Sequence, residues 1–247
     1  MIQSENAQAT EYSRLGITTV AAGVDRAFYY SCKRVLDVSV AAFLLIVLLP
    51  LLILIAILIR IDSPGPIIYV QQRVGSRRRK RRGWAATWEV QSFPFYKFRS
   101  MFRDVDQSLH QQYIKKFYQG DGGWNDGGLT IFKLKNDPRI TRLGRILRKT
   151  SLDELPQLVN VIRGDMSLVG PRPVPSYELE HYTTAHYERL ASLPGITGVW
   201  QIHGRCQVRF EDMMRMDIDY VRRRSFWLDL KILLMTVPAV ISGRGAE

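Results

Sequence analysis

The sequence predicts an α+β fold, mostly helical, in which one long apolar helix enters a membrane and a small β-hairpin leads into a helical domain. Three observations predict it. The run from Val35 to Ile59 is almost wholly apolar. Two β-prone stretches, Ile67-Ile68-Tyr69-Val70 and Phe93-Pro94-Phe95-Tyr96-Lys97-Phe98-Arg99, flank a basic run. Helical patterns recur over 104–120, 137–149, 177–192 and 208–222, and the segment Phe226 to Leu234 is amphipathic and suited to an interface.

The 247 residues divide into a polar leader over 1–32, a membrane helix over 33–60 and a membrane-interface domain over 61–247. The leader is mixed in charge and offers no cleavable signal peptide, so loose order is expected there. The apolar run would extend about 37 Å as one straight helix, more than the ~30 Å hydrocarbon core. It lacks the polar stripe of a soluble protein's helix. Pro50 removes a backbone donor and clashes with the preceding turn, so a kink is predicted at that point. Basic residues stand at both ends, Lys33 and Arg34 before and Arg60 after. The positive-inside rule therefore does not favour a spanning orientation, and a bent segment re-entering one leaflet and an ordinary kinked span both fit.

After Pro64-Gly65-Pro66 the two β-prone stretches read as a hairpin whose tip carries Arg77-Arg78-Arg79-Lys80-Arg81-Arg82. That run is either attracted to anionic headgroups or a solvated loop. Residues 120–128, with four glycines in two pairs after Gly120, read as a mobile lid or linker, because GxxxxGK[ST] is absent. Asp137 is the predicted cap of the helix over 137–149, with Pro138 at its first position and Ile140, Leu143 and Leu147 on its apolar face.

The net charge of +12 points to an anionic partner: nucleic acid, acidic lipid or a phosphorylated substrate. Cys32 and Cys206 have no CxxC spacing, so neither a disulfide framework nor a cysteine zinc site is read. The four histidines include no HExxH and no i,i+4 pair.

Chemistry concentrates in Lys149-Thr150-Ser151-Leu152-Asp153-Glu154-Leu155-Pro156-Gln157-Leu158. The adjacent carboxylates read either as helix-capping acids or as a phosphate-transfer pair. Pro156 places the helix start at Asp153, because with Ser151 as cap the proline would have to donate a bond it lacks. Asp153 would then be ionised at neutral pH beside backbone donors, Arg148 and Lys149, and able to attack phosphorus without a separate base. Further on, Gly164 ends a helix and Pro171-Arg172-Pro173 holds a guanidinium on stiff backbone, suited to phosphate or to a rigid turn. Residues 193–201 are turn-rich and apolar.

Five motifs in order closely resemble the monotopic phosphoglycosyl transferases, also called the bacterial sugar transferase family. They are Lys97-Phe98-Arg99-Ser100-Met101, Asn136-Asp137-Pro138-Arg139-Ile140-Thr141, Thr150 to Leu158, Gly164 to Pro173, and Pro194-Gly195-Ile196-Thr197-Gly198-Val199-Trp200-Gln201. The resemblance covers about residues 33–246 and is strongest to short enzymes that start exopolysaccharide repeat units.

This resemblance implies a re-entrant membrane helix broken near Pro50, at the cytoplasmic face of the bacterial inner (plasma) membrane. It implies transfer of a sugar 1-phosphate from a UDP-sugar to undecaprenyl phosphate, with UMP released through an aspartyl-phosphosugar. Asp153 is then the nucleophile, Glu154 completes the dyad and Asp217 is a further essential acid. Lys97, Arg99, Arg148, Arg172 and Arg205 match basic positions around phosphates. Mg²⁺ is the implied cofactor, with Asp153 as its ligand. The partners are membrane lipids and the two substrates; a homo-oligomer is allowed and nucleic acid is not expected.

Two departures stand out: Leu49-Pro50 where the family break often carries Ser-Pro, and His203 where relatives commonly show serine. The alternatives are a catalytically silent membrane scaffold, against which the retention of both Asp153 and Glu154 argues, and a membrane-tethered nucleic-acid binder, which lacks a recognisable binding fold.

Overall fold

The computed structural model describes residues 19–21, 27–79, 87–102, 125–126, 129–130, 137–203 and 208–242. Most of the leader, the helix predicted over 104–120, most of the glycine loop, Lys80 to Arg82 and Arg205 lie outside the described residues.

The apolar run folds as two helices, α1 (Ala27–Val47) and α2 (Leu49–Asp62), meeting at a 63° bend. Pro50 sits in the first turn of α2, where its missing N–H leaves the Ile46 carbonyl without an i+4 donor. The helical ladder is picked up again by Leu52, whose N–H donates to the Leu48 carbonyl at 2.8 Å. Among the described residues no single helix is long and apolar enough to cross a membrane, and this bent pair passes that test only together. One face of α2 exposes Leu49, Ile53, Leu54, Ile57, Leu58 and Ile61, while Ile55 and Ile59 pack on Phe98 and Leu147. So much exposed apolar surface on one element marks a lipid or protein contact.

α1 begins eight residues before Val35, and its first turns turn inward. Tyr30 meets Trp88 edge-on, with ring centroids 5.5 Å apart. Lys33 and Asp37 are buried at 3% and 2% exposure, so Lys33 is not a flanking charge in solvent. Its ammonium lies 2.8 Å from Asp229, which also accepts from the Tyr29 and Tyr220 hydroxyls at 2.8 and 2.7 Å. Asp37 accepts the Leu168 N–H at 3.0 Å, and Arg34 donates to the Val161 and Ile162 carbonyls. The start of the apolar helix pair is thereby keyed into the globular core, because a buried charge is tolerated only when paired and hydrogen-bonded.

β1 (Thr19–Ala21), β2 (Ile68–Arg79) and β3 (Thr87–Phe98) form an antiparallel sheet in the order β1-β3-β2. β2 and β3 pair from Ile68↔Phe98 to Arg79↔Thr87, which is the predicted hairpin with Arg77 to Arg79 at its far end. There Arg78 stacks over Tyr30 at 4.6 Å and Arg79 pairs with Glu89 at 2.7 Å. A minimal antiparallel pair joins β4 (Asn125–Asp126), within the segment read as a lid or linker, to β5 (Leu129–Thr130), just past it.

The remaining elements are α3 (Arg142–Lys149), α4 (Gln157–Arg163), β6 (Ser167–Val169), β7 (Gly195–Thr197), α5 (Val199–His203), α6 (Phe210–Arg223) and α7 (Phe226–Ser242). The main core joins α1, β3, α4 and α7 through Ala41, Trp88, Phe95, Val161 and Ile232. A second core, with Val74, Trp200 and Met214, lies under β2 and α6.

Two predicted helices differ. The one over 137–149 starts only at Arg142, with Thr141 as its cap accepting the Gly144 N–H at 2.9 Å. Asp137 instead closes a turn by accepting from the Arg139 N–H, and Ile140 is taken up by a β-bridge to Met101. The span 177–192 is two 3-10 turns, Ser176–His181 and Thr184–Leu190, divided where Thr183 begins a new capping box.

Gly144 carries a testable consequence. A Cβ there would stand 2.0 Å from the Ser100 carbonyl oxygen. Glycine to alanine inside a helix normally stabilises by about 1 kcal/mol. Here Gly144→Ala is expected to destabilise by about 2 kcal/mol or more, seen as a lowered Tm, because backbone must move to admit the methyl.

Candidate active site

α3 ends at Lys149, and the chain reverses through Ser151 at φ 58°, the one non-glycine residue among those described with positive φ. A left-handed serine costs about 1–2 kcal/mol. It is followed by a 3-10 turn, Leu152–Glu154, and then by Pro156 as N-cap of α4. Asp153 therefore does not start a helix, as the position of Pro156 suggested; the proline occupies the cap itself, where no donor is needed.

β3 delivers Lys97 to this turn. Asn160 of α4 fixes the register by donating to the Pro94 carbonyl at 2.7 Å and accepting the Tyr96 N–H at 3.2 Å. The Lys97 ammonium then lies 3.0 Å from Glu154 and 3.7 Å from Asp153. From the other side Arg172 grips both Glu154 oxygens, Nη1 to Oε2 at 3.1 Å and Nη2 to Oε1. Gly195 lets this turn approach β7: a Cβ there would stand 2.1 Å from the Gly170 nitrogen.

Lys97, Glu154 and Arg172 line a cavity of about 500 Å³ whose lining residues are of two unlike kinds. One kind is charged: Arg73, Lys97, Arg148, Glu154, Arg172, Glu178 and Arg189. The other is apolar and includes Leu44 of α1 and Leu233, Ala239 and Val240 of α7. Phosphate groups suit the first and a hydrocarbon chain the second.

Burial opposes ionisation of Glu154, but the Arg172 guanidinium and Lys97 ammonium outweigh it and hold the carboxyl well below the usual range. Burial lowers the Lys97 pKa although Glu154 and Asp153 pull it upward. Burial likewise lowers Arg73, to about 10, with repulsion from Arg172 adding to it. Asp217 is pushed up by burial against the opposing pull of Arg189.

Of the residues singled out in the sequence, Lys97, Arg148, Glu154 and Arg172 line the cavity. Asp153 lies immediately behind its wall, 6% exposed and in reach of Lys97. Asp217 does not reach the cavity: at 1% exposure it holds Arg189, 2.6 Å away, which in turn donates to the Arg172 carbonyl at 2.9 Å. Arg99 is placed elsewhere and is corrected as a phosphate ligand. Its guanidinium is buried and donates to the Ile59, Ser63 and Pro66 carbonyls, closing the C-terminus of α2. Sequence reasoning passed over Arg73, Glu178 and Arg189, which stand among mixed polar and apolar neighbours, as in Gln71-Gln72-Arg73-Val74, and carry no motif signal.

Among the described residues no group of three or more His, Cys, Asp or Glu could hold a metal by itself. Magnesium does not require one: it is commonly held by one or two carboxylates together with substrate phosphates and water. Asp153, a hard oxygen donor in reach of Lys97 and next to the charged lining of the cavity, has the donor chemistry for that role.

The family model for bacterial sugar transferases matches residues 28–243. The exopolysaccharide production protein ExoY of Sinorhizobium fredii is 41% identical over 214 residues, 87% of each chain. The undecaprenyl-phosphate galactose phosphotransferase of Salmonella typhimurium is 42% identical over 87% of this chain, which spans only 41% of that relative's length. The UDP-glucose:undecaprenyl-phosphate glucose-1-phosphate transferase of Caulobacter vibrioides is 39% identical over 85% of this chain and 70% of its own. The match runs from the first turn of α1 to the end of α7, through every element that builds the cavity, and on that ground the chain belongs to the bacterial sugar transferase family.

Proposed function

We propose that this protein transfers a hexose 1-phosphate from a UDP-sugar to undecaprenyl phosphate, as the first membrane step of exopolysaccharide synthesis. The observation that carries the reading is the mixed lining of one cavity, where guanidinium, ammonium and carboxylate groups occur together with apolar side chains of α1 and α7. A nucleotide sugar alone has no use for so much apolar lining, and a lipid alone has none for two carboxylates among guanidinium groups. The names of the Salmonella and Caulobacter relatives point the same way.

In the proposed reaction a carboxylate oxygen of Asp153 attacks the sugar-bearing phosphorus, and the bond from that phosphorus to the UMP oxygen breaks. Lys97 and Arg172 face the charge that builds on the phosphoryl oxygens, and Glu154 holds both cations in place until the donor arrives. An oxygen of undecaprenyl phosphate then attacks the same phosphorus and returns Asp153 to its carboxylate, while its isoprenoid chain follows the apolar lining of the cavity. Asp153 would be the residue to hold Mg²⁺, which would supply further neutralisation of the phosphate charge.

The bend supports seating in one leaflet. A symmetric V bent by 63° inclines each limb by about 31° to the membrane plane. The first limb, about 31 Å long, then descends only about 16 Å, roughly half the hydrocarbon core. Cys32 and a cysteine introduced at Asp62 are expected to react with an impermeant thiol reagent from the same, cytoplasmic side; opposite-side labelling would establish a span instead.

Purified protein with Mg²⁺, undecaprenyl phosphate and either UDP-glucose or UDP-galactose is expected to release UMP and form a lipid diphosphate sugar. Release of UDP would show that a different bond is cleaved. Absence of turnover across a panel of UDP-sugars would leave the silent scaffold.

A further inference from the structure

Pro171-Arg172-Pro173 has two residues without an N–H, so the turn cannot be secured through its own donors. It is secured through its carbonyls. Four in succession accept from three parts of the fold: Pro171 from the Gly195 N–H at 2.9 Å, Arg172 from Arg189 Nη2 at 2.9 Å, and from neighbouring residues of β2 Pro173 takes Arg73 Nη1 at 2.6 Å and Val174 the Val74 N–H at 2.7 Å. The outer two are backbone pairings, whereas the inner two come from guanidinium groups.

We propose that Arg73 is a positioning residue: together with Arg189 it pins the Pro-Arg-Pro turn so that the fork of Arg172 meets its anions at one fixed angle. Arg73 is suited to this by its planarity. While Nη1 holds Pro173, Nε and Nη2 share the Gln71 amide oxygen at 3.2 Å, and the plane lies over Phe95 at 4.5 Å from the ring centroid. A lysine could make one of these contacts but not the set.

Three of its five N–H groups are thus directed at protein acceptors. Burial and, after it, repulsion from Arg172 lower the Arg73 pKa, and Glu178 and Glu154 only partly offset them, so a second guanidinium at this place carries a cost. Fold stability alone would be served as well by a neutral side chain, and the arrangement makes sense where the aim of Arg172 matters.

The kinetic test rests on the transfer reaction proposed above. In the full chain with undecaprenyl phosphate and UDP-glucose or UDP-galactose, Arg73→Ala is expected to lower kcat about 10–100-fold, the scale on which small misplacements act. The donor KM should change less than about threefold, since ground-state binding is not what is lost. Arg73→Lys should resemble Arg73→Ala, and Gln71→Ala should show a milder form of the same defect. A raised KM with kcat kept, or near-full activity in Arg73→Lys, would overturn the proposal in favour of direct donor binding by charge.

The second test does not depend on turnover. Amide hydrogen exchange in Arg73→Ala should accelerate within residues 172–180 while α4 stays protected. Unchanged exchange over 172–180 would overturn the proposal, as would uniform acceleration, which would make Arg73 a general stabiliser. If the wild-type protein turns over neither donor, the functional reading fails and exchange alone decides the role of Arg73.

Discussion

Asp153→Asn is expected to abolish sugar-phosphate transfer, with a loss of at least about a thousandfold, the range seen when a group central to the chemistry is removed. The substitution is nearly isosteric. Asp153 is 6% exposed and shares Lys97 with Glu154, so an amide oxygen at the same place can still accept from the ammonium. What it cannot do is attack phosphorus, because the amide lone pair is delocalised and the leaving group would be a poor one. A stability change of under about 1.5 kcal/mol, typical of one hydrogen bond, should accompany the loss and show that the fold is intact. The direct readout is covalent: donor labelled in the sugar should mark the wild-type chain at Asp153 when undecaprenyl phosphate is withheld, and should leave Asp153→Asn unmarked. A variant retaining a tenth of the rate would show that the carboxylate serves only to bind or to hold a metal, and the two-step route would be lost.

The burial of Asp153 sets the order of events. A carboxylate behind the cavity wall is shielded from bulk water, which protects an acyl phosphate from hydrolysis once formed. It must nevertheless be reached by the donor. Lys97 lines the cavity and reaches both carboxylates, so in the proposed reaction an arriving diphosphate would compete for that ammonium against Glu154.

What could be read from the chain beforehand was local. Pro50, Pro66, Gly164 and the alternation along β3 act through nearest neighbours, and the break, the hairpin and the helix end stand where they were expected. The start of α3 was misread because Asp137 and Thr141 are both good caps, and the choice between them is made by the distant strand residue Met101. Lys33 read as a basic residue flanking the apolar run, whereas Asp229, 196 residues away, supplies its buried partner. Arg99 follows Lys97 by two residues but lies just past the end of β3, so it no longer shares that side chain's direction and turns to α2 instead. The cavity motifs were recognisable as a set. The guanidinium groups behind them were not, since Arg73 meets Pro173 across 100 residues.

Glu154→Gln is expected to lower transfer by about a hundredfold, on the scale of removing one preorganised electrostatic group, and to change how stability depends on pH. Glutamine keeps one acceptor for Arg172 or Lys97 but gives up the charge that balances both. The two cations are then left facing each other near Arg73, and hydrogen bonds to charged partners of this kind are worth about 2 kcal/mol. The sign follows from the direction of the shift. The Glu154 carboxyl is held well below its ordinary value, so the unfolded chain takes up its proton first as pH falls. The stabilisation it contributes is complete above the unfolded pKa, near 4.3, and disappears as pH drops through the lower folded value. Thermal unfolding should therefore show wild type above Glu154→Gln by a constant margin from about pH 8 down to about pH 5, narrowing below about pH 4. A margin that persists undiminished to acid pH would mean that the side chain stabilises by shape and hydrogen bonding alone. In that case the charge on Glu154 would not be what keeps Lys97 and Arg172 poised for phosphate.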